Sequence, residues 1–291
     1  MQAEYVDKEK LYGYAASDWN LIDYHMYRIK DFSSFYLRGP ITWDGASPFA
    51  VYIGAAQTYG RFCEHPFSHL IGQKYSVPFI NMGRGGAGPA LFVNRDILER
   101  LNAAKVVIVQ VMSGRSVSNS LLHNPHAGGT LSRKDIPDSA PTYAVDVWKA
   151  VLDDYGPEFV LRLVEETRSN FVAQMKTLLN SISSRKILFW FSKRRPKYDM
   201  RPTVIPAIFG DFPQLIDQDI VATLRPLADR WVEVVTNRGC PQPLFNRFTG
   251  EAHPHFPGTR DPYANNYYPS PEMHEDAAAA LGPVVDELMK A

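Results

Sequence analysis

The sequence is short of cysteine, balanced in charge and free of long apolar runs. Two cysteines, Cys63 and Cys240, in 291 residues exclude a framework of several disulfides and indicate a reducing compartment. Lys plus Arg and Asp plus Glu each number 31, so no global field favours nucleic acid or a membrane surface. No stretch approaches the roughly 18 apolar residues of a membrane span, and the first residues lack the apolar core of a signal peptide. We therefore expect a cytoplasmic protein with no membrane span and no nucleic-acid partner.

Five short apolar runs have the composition of buried β-strands. Apolar residues make up 45% of the chain, which is ordinary for a globular protein long enough to bury a substantial core. Because the runs are continuous in Val, Ile and Phe rather than alternating, they suit parallel strands that are covered on both faces. The runs are 49–55 (FAVYIGA), 77–83 (VPFINMG), 104–112 (AKVVIVQVM), 186–192 (KILFWFS) and 230–236 (RWVEVVT).

Helical patterns lie between these runs. Pro66 and Pro89 each stand where the first turn of a helix tolerates proline, and residues 215–228 supply a further helix. The sequence Ser-Pro-Glu at 270–272 predicts the start of the last helix, which Gly-Pro at 282–283 should break. The clearest helix places apolar residues on one face at helical spacing; these are Val160, Leu163, Val164, Phe171, Met175, Leu178, Leu179 and Ile182.

The alternation of strands and helices predicts an α/β fold. We expect a doubly wound, flavodoxin-like, five-stranded parallel sheet in the order 2-1-3-4-5, with helices on both faces. Residues 1–48 are predicted to form an irregular N-terminal lead-in packed on the core, and residues 49–291 a single α/β domain. Residues 113–154 and 237–269 show no convincing strand, so we interpret them as long excursions of the kind that are usually functional or mobile.

The strand order also predicts where a ligand would bind. In open parallel sheets this is beyond the carboxyl ends of the strands where the order reverses, between the loops after strands one and three. Residues 54–61 (GAAQTYGR) and 113–120 (SGRSVSNS) form these loops, and small, hydroxyl and amide residues dominate both. Such residues are typical of loops that approach a ligand and also of ordinary turns. We predict ligand contacts from Gly54, Ala56, Gln57, Thr58, Arg61, Arg115 and Asn119.

Four blocks in the loops carry a resemblance to a known superfamily. Gly54-Ala55-Ala56 follows the first strand, Gly83 the second and SGRS (113–116) the third, while NNYYPSP (265–271) precedes the last helix. Over residues 49–285 this layout resembles the SGNH, or GDSL-type, hydrolases, which place a Gly-Asp-Ser nucleophile, a Gly, an Asn and an Asp-x-x-His at these points. The resemblance implies that Gly83 and Tyr268 line a ligand site.

Three shorter segments carry a closer resemblance. They are 37–40 (LRGP), 58–62 (TYGRF) and 64–67 (EHPF), and they are similar to an uncharacterised bacterial family of SGNH-like proteins. That family has no established activity, so this second resemblance implies nothing about mechanism.

The triad positions implied by the superfamily are all substituted. Ala56 stands at the nucleophile position, and a methyl group cannot attack a carbonyl carbon. Tyr268 stands at the position of the base His, and Asn265 at that of its orienting Asp. Because nucleophile, base and orienter act as a unit, the familiar mechanism is not carried over.

Other residues offer a substitute chemistry. The hydroxyls of Ser113 and Ser116 lie in the third loop, and His65 and His274 are candidates for a relocated base. Hydroxyls in such loops also cap turns or bind ligands. Gln110 is a polar residue in an apolar strand and must be hydrogen-bonded, either to the protein or to a ligand.

Two pairs of histidines and a basic run complete the candidates. His123 with His126, and His253 with His255, are adjacent pairs in separate loops, which fall short of the ligand set of a zinc site. We predict no metal and no cofactor. Residues 193–201 (KRRPKYDMR) directly follow the fourth strand, so they emerge at the same sheet edge as Arg61 and Arg115. This placement favours an anion site that includes Arg194, and a solvated basic surface is the alternative.

These features lead to one functional hypothesis with two rivals. The first is an SGNH-like enzyme that acts on an acylated or anionic small molecule or glycan, by ester hydrolysis or acyl transfer, with a non-standard residue set. The second is a non-catalytic protein that keeps the ligand pocket of the fold. The third is sulfo- or other group transfer from a phosphorylated donor, against which the first loop lacks the Gly/Lys/Ser-Thr pattern that cradles a phosphate.

Overall fold

A computed structural model describes residues 2–32, 34–197, 205–255 and 261–291 of the chain. The strands are β1 (Ala3–Tyr5), β2 (Tyr27–Ile29), β3 (Ala50–Ile53), β4 (Phe79–Asn81), β5 (Val106–Gln110), β6 (Leu122–His123), β7 (Thr130–Arg133), β8 (Thr142–Tyr143), β9 (Arg185–Ser192), β10 (Arg230–Val235), β11 (Gln242–Pro243) and β12 (Ala264–Asn265). The α-helices are α1 (Tyr14–Ser17), α2 (Ala56–Tyr59), α3 (Phe67–Tyr75), α4 (Arg95–Ala103), α5 (Ala144–Ser181), α6 (Ile205–Phe209), α7 (Gln218–Leu224) and α8 (Pro271–Lys290).

The central sheet contains β4, β3, β5, β9 and β10 in that spatial order, and every neighbouring pair is parallel. Numbered along the chain, these five strands have the order 2-1-3-4-5, which confirms the predicted topology. Each strand lies within the predicted apolar run, except that β9 begins one residue earlier, at Arg185. The register aligns Ala50 of β3 with Phe79 of β4 and with Val106 of β5.

Both faces of the sheet are covered, which also was predicted. Val107 and Val109 of β5 point into an apolar cluster that includes side chains of α4, α5 and α7. Val106 and Ile108 of the same strand point into a second cluster, built with α3 and α8. Because neither face meets water, successive residues of each strand must be apolar, which explains the continuous runs in the sequence.

Two helices differ in detail from their predicted form. Helix α5 contains a kink at Gly156, which has φ 75° and is followed by Pro157, and the predicted apolar face lies in its second segment. Helix α8 begins as predicted, with the Ser270 hydroxyl accepting the Met273 N–H at 3.2 Å. The predicted break at 282–283 is wrong, because buried Val285 and Leu288 pack in the sheet cluster and hold the helix together beyond the proline.

The prediction that residues 113–154 and 237–269 contain no strand is wrong. Strands β6, β7 and β8 form a small antiparallel sheet in the first excursion, where α5 also begins at Ala144, and β11 pairs with β12 in the second. These strands have only two to four residues each, which is too short for an apolar periodicity to show. Residues 256–260 of the second excursion lie outside the described residues.

The N-terminal segment runs along the edge strand β4 and contributes to one sheet cluster. Strands β1 and β2 pair antiparallel, and Tyr27 and Ile29 are buried in the same cluster as β3 and β5. The Arg38 N–H donates to the Asn81 carbonyl at 3.2 Å, and the Thr42 hydroxyl bonds the backbone of Phe79. The segment is therefore more regular than predicted, while the boundary at 48/49 stays a prediction. Within the described residues, no helix combines the length and the apolar composition needed to cross a bilayer.

Candidate functional site

A cavity of about 30 Å³ lies at the sheet edge predicted from the strand order. The loop after β3 contributes Ala55, Ala56 and Gln57, the loop after β5 contributes Ser113 and Ser116, and Tyr268 comes from the loop before α8. We call this cavity, defined by these six residues, the neck, because its volume is about that of one water molecule. Ala56 and Tyr268, which the resemblance aligns with the nucleophile and the base, thus lie along the same small space.

A larger cavity of about 410 Å³ adjoins the neck and shares Tyr14, Gly86, Arg115 and Tyr268 with it. We call it the tyrosine cavity after its six tyrosines, which are Tyr12, Tyr14, Tyr36, Tyr59, Tyr143 and Tyr268. These side chains offer both ring faces for stacking and hydroxyls for hydrogen bonding. The cavity is therefore suited to a ligand that carries a flat or sugar-like ring.

Two arginines give the tyrosine cavity a positive charge. Arg84 and Arg115 line it, and none of the described residues that line it is acidic. The guanidinium of Arg84 stacks on Phe35 at 5.2 Å and makes no hydrogen bond or ion pair with a described residue. Arg115 makes one side-chain hydrogen bond, to the Tyr267 hydroxyl at 3.3 Å. Both guanidiniums therefore keep donors for a ligand.

A glycine run after β4 forms one wall of the tyrosine cavity. A Cβ on Gly83 would lie 2.2 Å from the Tyr59 backbone nitrogen, so no larger residue fits. Gly86 has φ 73°, a left-handed conformation that favours glycine, and it packs on Gly129. The N–H of Gly83 donates to Asn81 Oδ1 at 2.8 Å, so Gly83 shapes the wall and its N–H is not available to a ligand.

Gln110 holds the loop after β3 in place. Its Oε1 accepts the Ala55 N–H at 3.0 Å and the Thr58 hydroxyl at 2.7 Å. A Cβ on Gly54 would lie 2.3 Å from the same oxygen, which explains the glycine at this position. Gln110 Oε1 thus has a structural role, while its buried Nε2 has no partner among the described residues. The ligand contacts of Gly54, Thr58 and Gln110 stay predictions.

Arg61 takes part in a buried ion pair, and its role as a ligand contact stays a prediction. Its Nε and one terminal nitrogen donate to the two carboxylate oxygens of Asp18 at 2.8 and 2.9 Å. His255 Nε2 lies 3.0 Å from the same carboxylate. Burial raises the pKa of Asp18, but the hydrogen bonds from His255 and Arg61 outweigh burial and hold that pKa at about 2. The ion pair is thus ionised across the ordinary pH range.

The same arginine orients Tyr268. Arg61 donates from its other terminal nitrogen to the Tyr268 hydroxyl at 2.9 Å, and the Tyr14 hydroxyl lies 3.1 Å from that oxygen. Asn265 accepts the N–H groups of Tyr267 and Tyr268 and so shapes the turn that carries Tyr268 into the neck. A buried arginine and a turn therefore fix the position of this phenol.

Neither of the two predicted histidines lines the neck or the tyrosine cavity. His65 is exposed and contacts His69. His274 is fully buried between Phe67 and Phe191, and its Nδ1 accepts the Phe67 N–H at 3.2 Å. Burial, with a smaller contribution from the charge of Arg38, lowers the pKa of His274 to about 3. The packing of α8 on α3 turns His274 into the core, and its role as a relocated base, like that of His65, stays a prediction.

Arg194 and Asn119 also make internal hydrogen bonds, and their ligand contacts stay predictions. The guanidinium of Arg194 donates to five backbone carbonyls, those of Asp211, Arg195, Pro196, Pro213 and Ile216. The Asn119 side chain accepts two backbone N–H groups and donates to the Thr167 hydroxyl. Of the other cations of the basic run, Arg195 and Lys197 are exposed, and Arg201 lies outside the described residues.

Ser113 and Ser116 both line the neck. Ser113 Oγ accepts the Arg115 N–H at 3.3 Å. No histidine is among the described residues that line the neck or the tyrosine cavity. Of the remaining histidines, His123 and His126 are exposed, and the described residues contain no group of three His, Cys, Asp or Glu side chains placed to hold a metal ion.

Sequence reasoning missed most of the tyrosine cavity. Tyr12, Tyr36 and Tyr143 come from the N-terminal segment and the first excursion, and Arg84 from the loop after β4. Two signals in the sequence point to them. Six of the 15 tyrosines lie within the first 36 residues, and the glycine-rich run 83–88 (GRGGAG) directly follows a buried strand.

A family model described as "Domain of unknown function (DUF6473)" matches residues 14–124 and 150–289. The chain belongs to this family. No curated protein matches the sequence. The match to the family leaves the reaction and the ligand undefined, so function has to be inferred from the cavities described above.

Several solved structures resemble the fold at low identity. An acetyl xylan esterase (Est2A) from Butyrivibrio proteoclasticus is 11% identical, with a TM-score of 0.41 over 88% of this chain and 66% of that one. The lipase Lip_vut3 from a goat rumen metagenome is 13% identical, with a TM-score of 0.38 over 80% and 97%. An extracellular lipase from Streptomyces rimosus is 9% identical, with a TM-score of 0.43 over 83% and 100%. This chain spans about two thirds of the esterase, and likeness at this level does not transfer a reaction.

Proposed function

We propose that this protein binds a small anionic molecule that carries a sugar or aromatic ring, and that the tyrosine cavity is the binding site. The observation that carries the proposal is the placement of Arg84 and Arg115 in an aromatic cavity whose described lining contains no acid. An anion placed between them would receive charge-assisted hydrogen bonds, which are worth about 1.5–3 kcal/mol each.

The tyrosines supply the rest of the recognition. Tyr12 and Tyr36 pack against each other with ring centroids 5.2 Å apart at the rim, and Tyr14 and Tyr268 stand at the entrance to the neck. A ring inserted among them gains stacking on one or two faces while its polar groups reach phenol hydroxyls. This combination favours a ring-bearing anion over a bare inorganic one.

We place binding before catalysis because the described residues of the neck contain no nucleophile–base pair. Ala56 occupies the nucleophile position, and no histidine lies among the described residues of the neck. The second candidate function is ester hydrolysis or acyl transfer through Ser113 or Ser116, whose presence beside Ala56 and Tyr268 is the observation that favours it. Turnover of 4-nitrophenyl acetate that disappears in Ser113→Ala or Ser116→Ala would establish this second function.

The experiment that tests the proposal is a binding screen on the full chain. Thermal shift and isothermal titration would use inorganic phosphate, sulfate, galacturonate, glucose 6-phosphate, phenyl phosphate and AMP. We expect at least one ring-bearing anion to bind more tightly than phosphate or sulfate. We expect Arg84→Ala and Arg115→Ala each to weaken that binding about tenfold or more, since each removes one charge-assisted contact.

Arg95→Ala is the matched control for these variants. Its side chain is 92% exposed, lies outside the tyrosine cavity and pairs with Glu99 on the same helix. This variant should bind like the wild type. If no anion in the screen binds, or if the cavity variants bind as well as the Arg95 variant does, the proposed function is wrong.

A further inference from the structure

A cavity of about 210 Å³ lies on the other side of the neck from the tyrosine cavity. We call it the second cavity, and Gln57, Phe191, Lys193, Asp211, Asn266 and Tyr267 are among its lining residues. It shares Gln57, Phe212 and Tyr267 with the neck, and the neck in turn shares Tyr14, Arg115 and Tyr268 with the tyrosine cavity. The three spaces therefore follow one another along the carboxyl edge of the sheet.

Gln57 is the polar side chain between the neck and the second cavity. It is only 3% exposed, and its Oε1 is buried without a hydrogen-bond partner among the described residues. A buried carbonyl oxygen left without a donor is costly, so such atoms in native proteins normally meet a partner. A ligand hydroxyl fits this position well, because it can donate to the amide oxygen and also accept from the amide nitrogen.

The charge of the second cavity differs from that of the tyrosine cavity. Lys193 and Asp211 contribute one charge of each sign, and Lys193 Nζ already donates to the Asn266 carbonyl at 2.7 Å. Polar atoms next to the rings of Phe191 and Tyr267 suit a neutral, hydroxylated group. An anion, in contrast, is favoured in the tyrosine cavity, where two arginines face no acid among the described lining residues.

The neck is narrow but open to a linking atom. Small residues, namely Ala55, Ala56, Gly86 and Ala87, form much of its wall. Its volume of about 30 Å³ is small beside the 210 and 410 Å³ of its two neighbours, so it suits a linking group better than a ring. A side chain larger than alanine at position 56 would close it.

We propose that the ligand has two parts joined through the neck, an inference that rests on the proposed function. The anionic ring lies in the tyrosine cavity, a neutral hydroxyl-bearing group lies in the second cavity, and Gln57 Oε1 accepts a hydroxyl hydrogen of that group. The atom that links the two parts passes Ala56.

The test compares probes that differ only by an added hydroxylated ring. Glucose 6-phosphate is paired with trehalose 6-phosphate, and galacturonate with digalacturonate, so that both a phosphate and a carboxylate anion are covered. By titration calorimetry on the full wild-type chain, we expect the longer member of at least one pair to bind about fivefold to tenfold more tightly. Gln57→Leu and Ala56→Leu should each remove that gain and leave the affinity for the shorter member unchanged.

Thermal unfolding distinguishes a ligand contact from a structural role for Gln57. Because Gln57→Leu removes a buried acceptor that has no described partner, the variant should unfold at or above the temperature of the wild type. If the shorter probes bind but the longer ones gain nothing, or if the gain survives both substitutions, the two-part ligand is wrong and the proposed function stands. If no probe of either length binds, both proposals are wrong.

Discussion

Arginines in two regions of one sheet edge differ in what their guanidinium groups already bind. After β9, Arg194 donates to five backbone carbonyls. After β4, Arg84 stacks on Phe35 and makes no hydrogen bond or ion pair with a described residue, and Arg115 after β5 makes a single long one. A cation at a ligand-binding edge is therefore available to an anion only where neighbouring acceptors leave its donors unused. Proximity to the sheet edge alone does not make a cation available to an anion.

The largest effect expected from this contrast concerns Arg61. Its ion pair with Asp18 is buried, and the Asp18 side chain has no exposed surface. Arg61→Ala leaves that carboxylate without its main partner, so we expect the free energy of unfolding to fall by about 3–5 kcal/mol in urea denaturation. The exposed control, Arg95→Ala, should change it by less than about 0.5 kcal/mol. An Arg61 variant as stable as the control would mean that the ion pair of Arg61 does not stabilise the fold.

A second prediction concerns His274, another buried side chain, and the dependence of stability on pH. Burial lowers the pKa of His274 to about 3 from its ordinary 6.5. Between about pH 6.5 and pH 3, His274 is therefore protonated in the unfolded chain but neutral in the folded one. The free energy of unfolding falls as the pH is lowered through this range. By pH 4 this group should account for about 3 kcal/mol of the loss.

His274→Phe measures that loss. At pH 7 the variant should be less stable by about 1–3 kcal/mol, because the buried Phe67 N–H loses its acceptor. Between pH 7 and pH 4 its stability should fall less steeply than that of the wild type, as followed by urea denaturation at each pH. Equal slopes for the two proteins would show that His274 is not buried in its neutral form.

A smaller effect on stability than that of Arg61→Ala is expected for Arg194. Arg194→Ala frees several partly buried backbone carbonyls around residues 211–216, which should cost about 2 kcal/mol of unfolding free energy. The affinity for the anion that binds best should stay within about twofold of the wild type, because the arginine has no unused donor to offer. Arg115→Ala should show the reverse, with weaker binding and little change in stability. Weakened anion binding in the Arg194 variant would contradict the proposed difference between Arg194 and Arg115.

The fold was largely predictable from the sequence, whereas the site was predictable only in part. Continuous apolar runs such as 104–112 specify strands covered on both faces, and the intervening helical patterns indicate a doubly wound parallel sheet, for which 2-1-3-4-5 is a common order. The neck follows from that order, since Ala56 and Ser113 belong to the two loops at the reversal point. These conclusions depend on local patterns and general topology alone.

The tyrosine cavity depends on contacts that no local pattern encodes. Tyr12 and Tyr143 lie more than a hundred residues apart, in segments without a strong periodicity. They line one cavity because both segments pack beside the glycine run after β4. For the basic run after β9, the sequence indicates a ligand contact, whereas the folded chain gives the side chain internal partners. Its composition indicates an anion site, but whether Arg194 is available depends on five carbonyls whose positions appear only in the folded chain.

The central claim is that Arg84 and Arg115 hold the same anion, and one calorimetric measurement tests it most directly. The tightest ring-bearing anion from the screen is titrated into the wild type, the two single alanine variants and the double variant Arg84→Ala, Arg115→Ala. We predict that the double variant loses about a hundredfold or more in affinity while its unfolding temperature in the absence of ligand stays that of the wild type. A double variant that binds the anion as tightly as the wild type does would contradict the account.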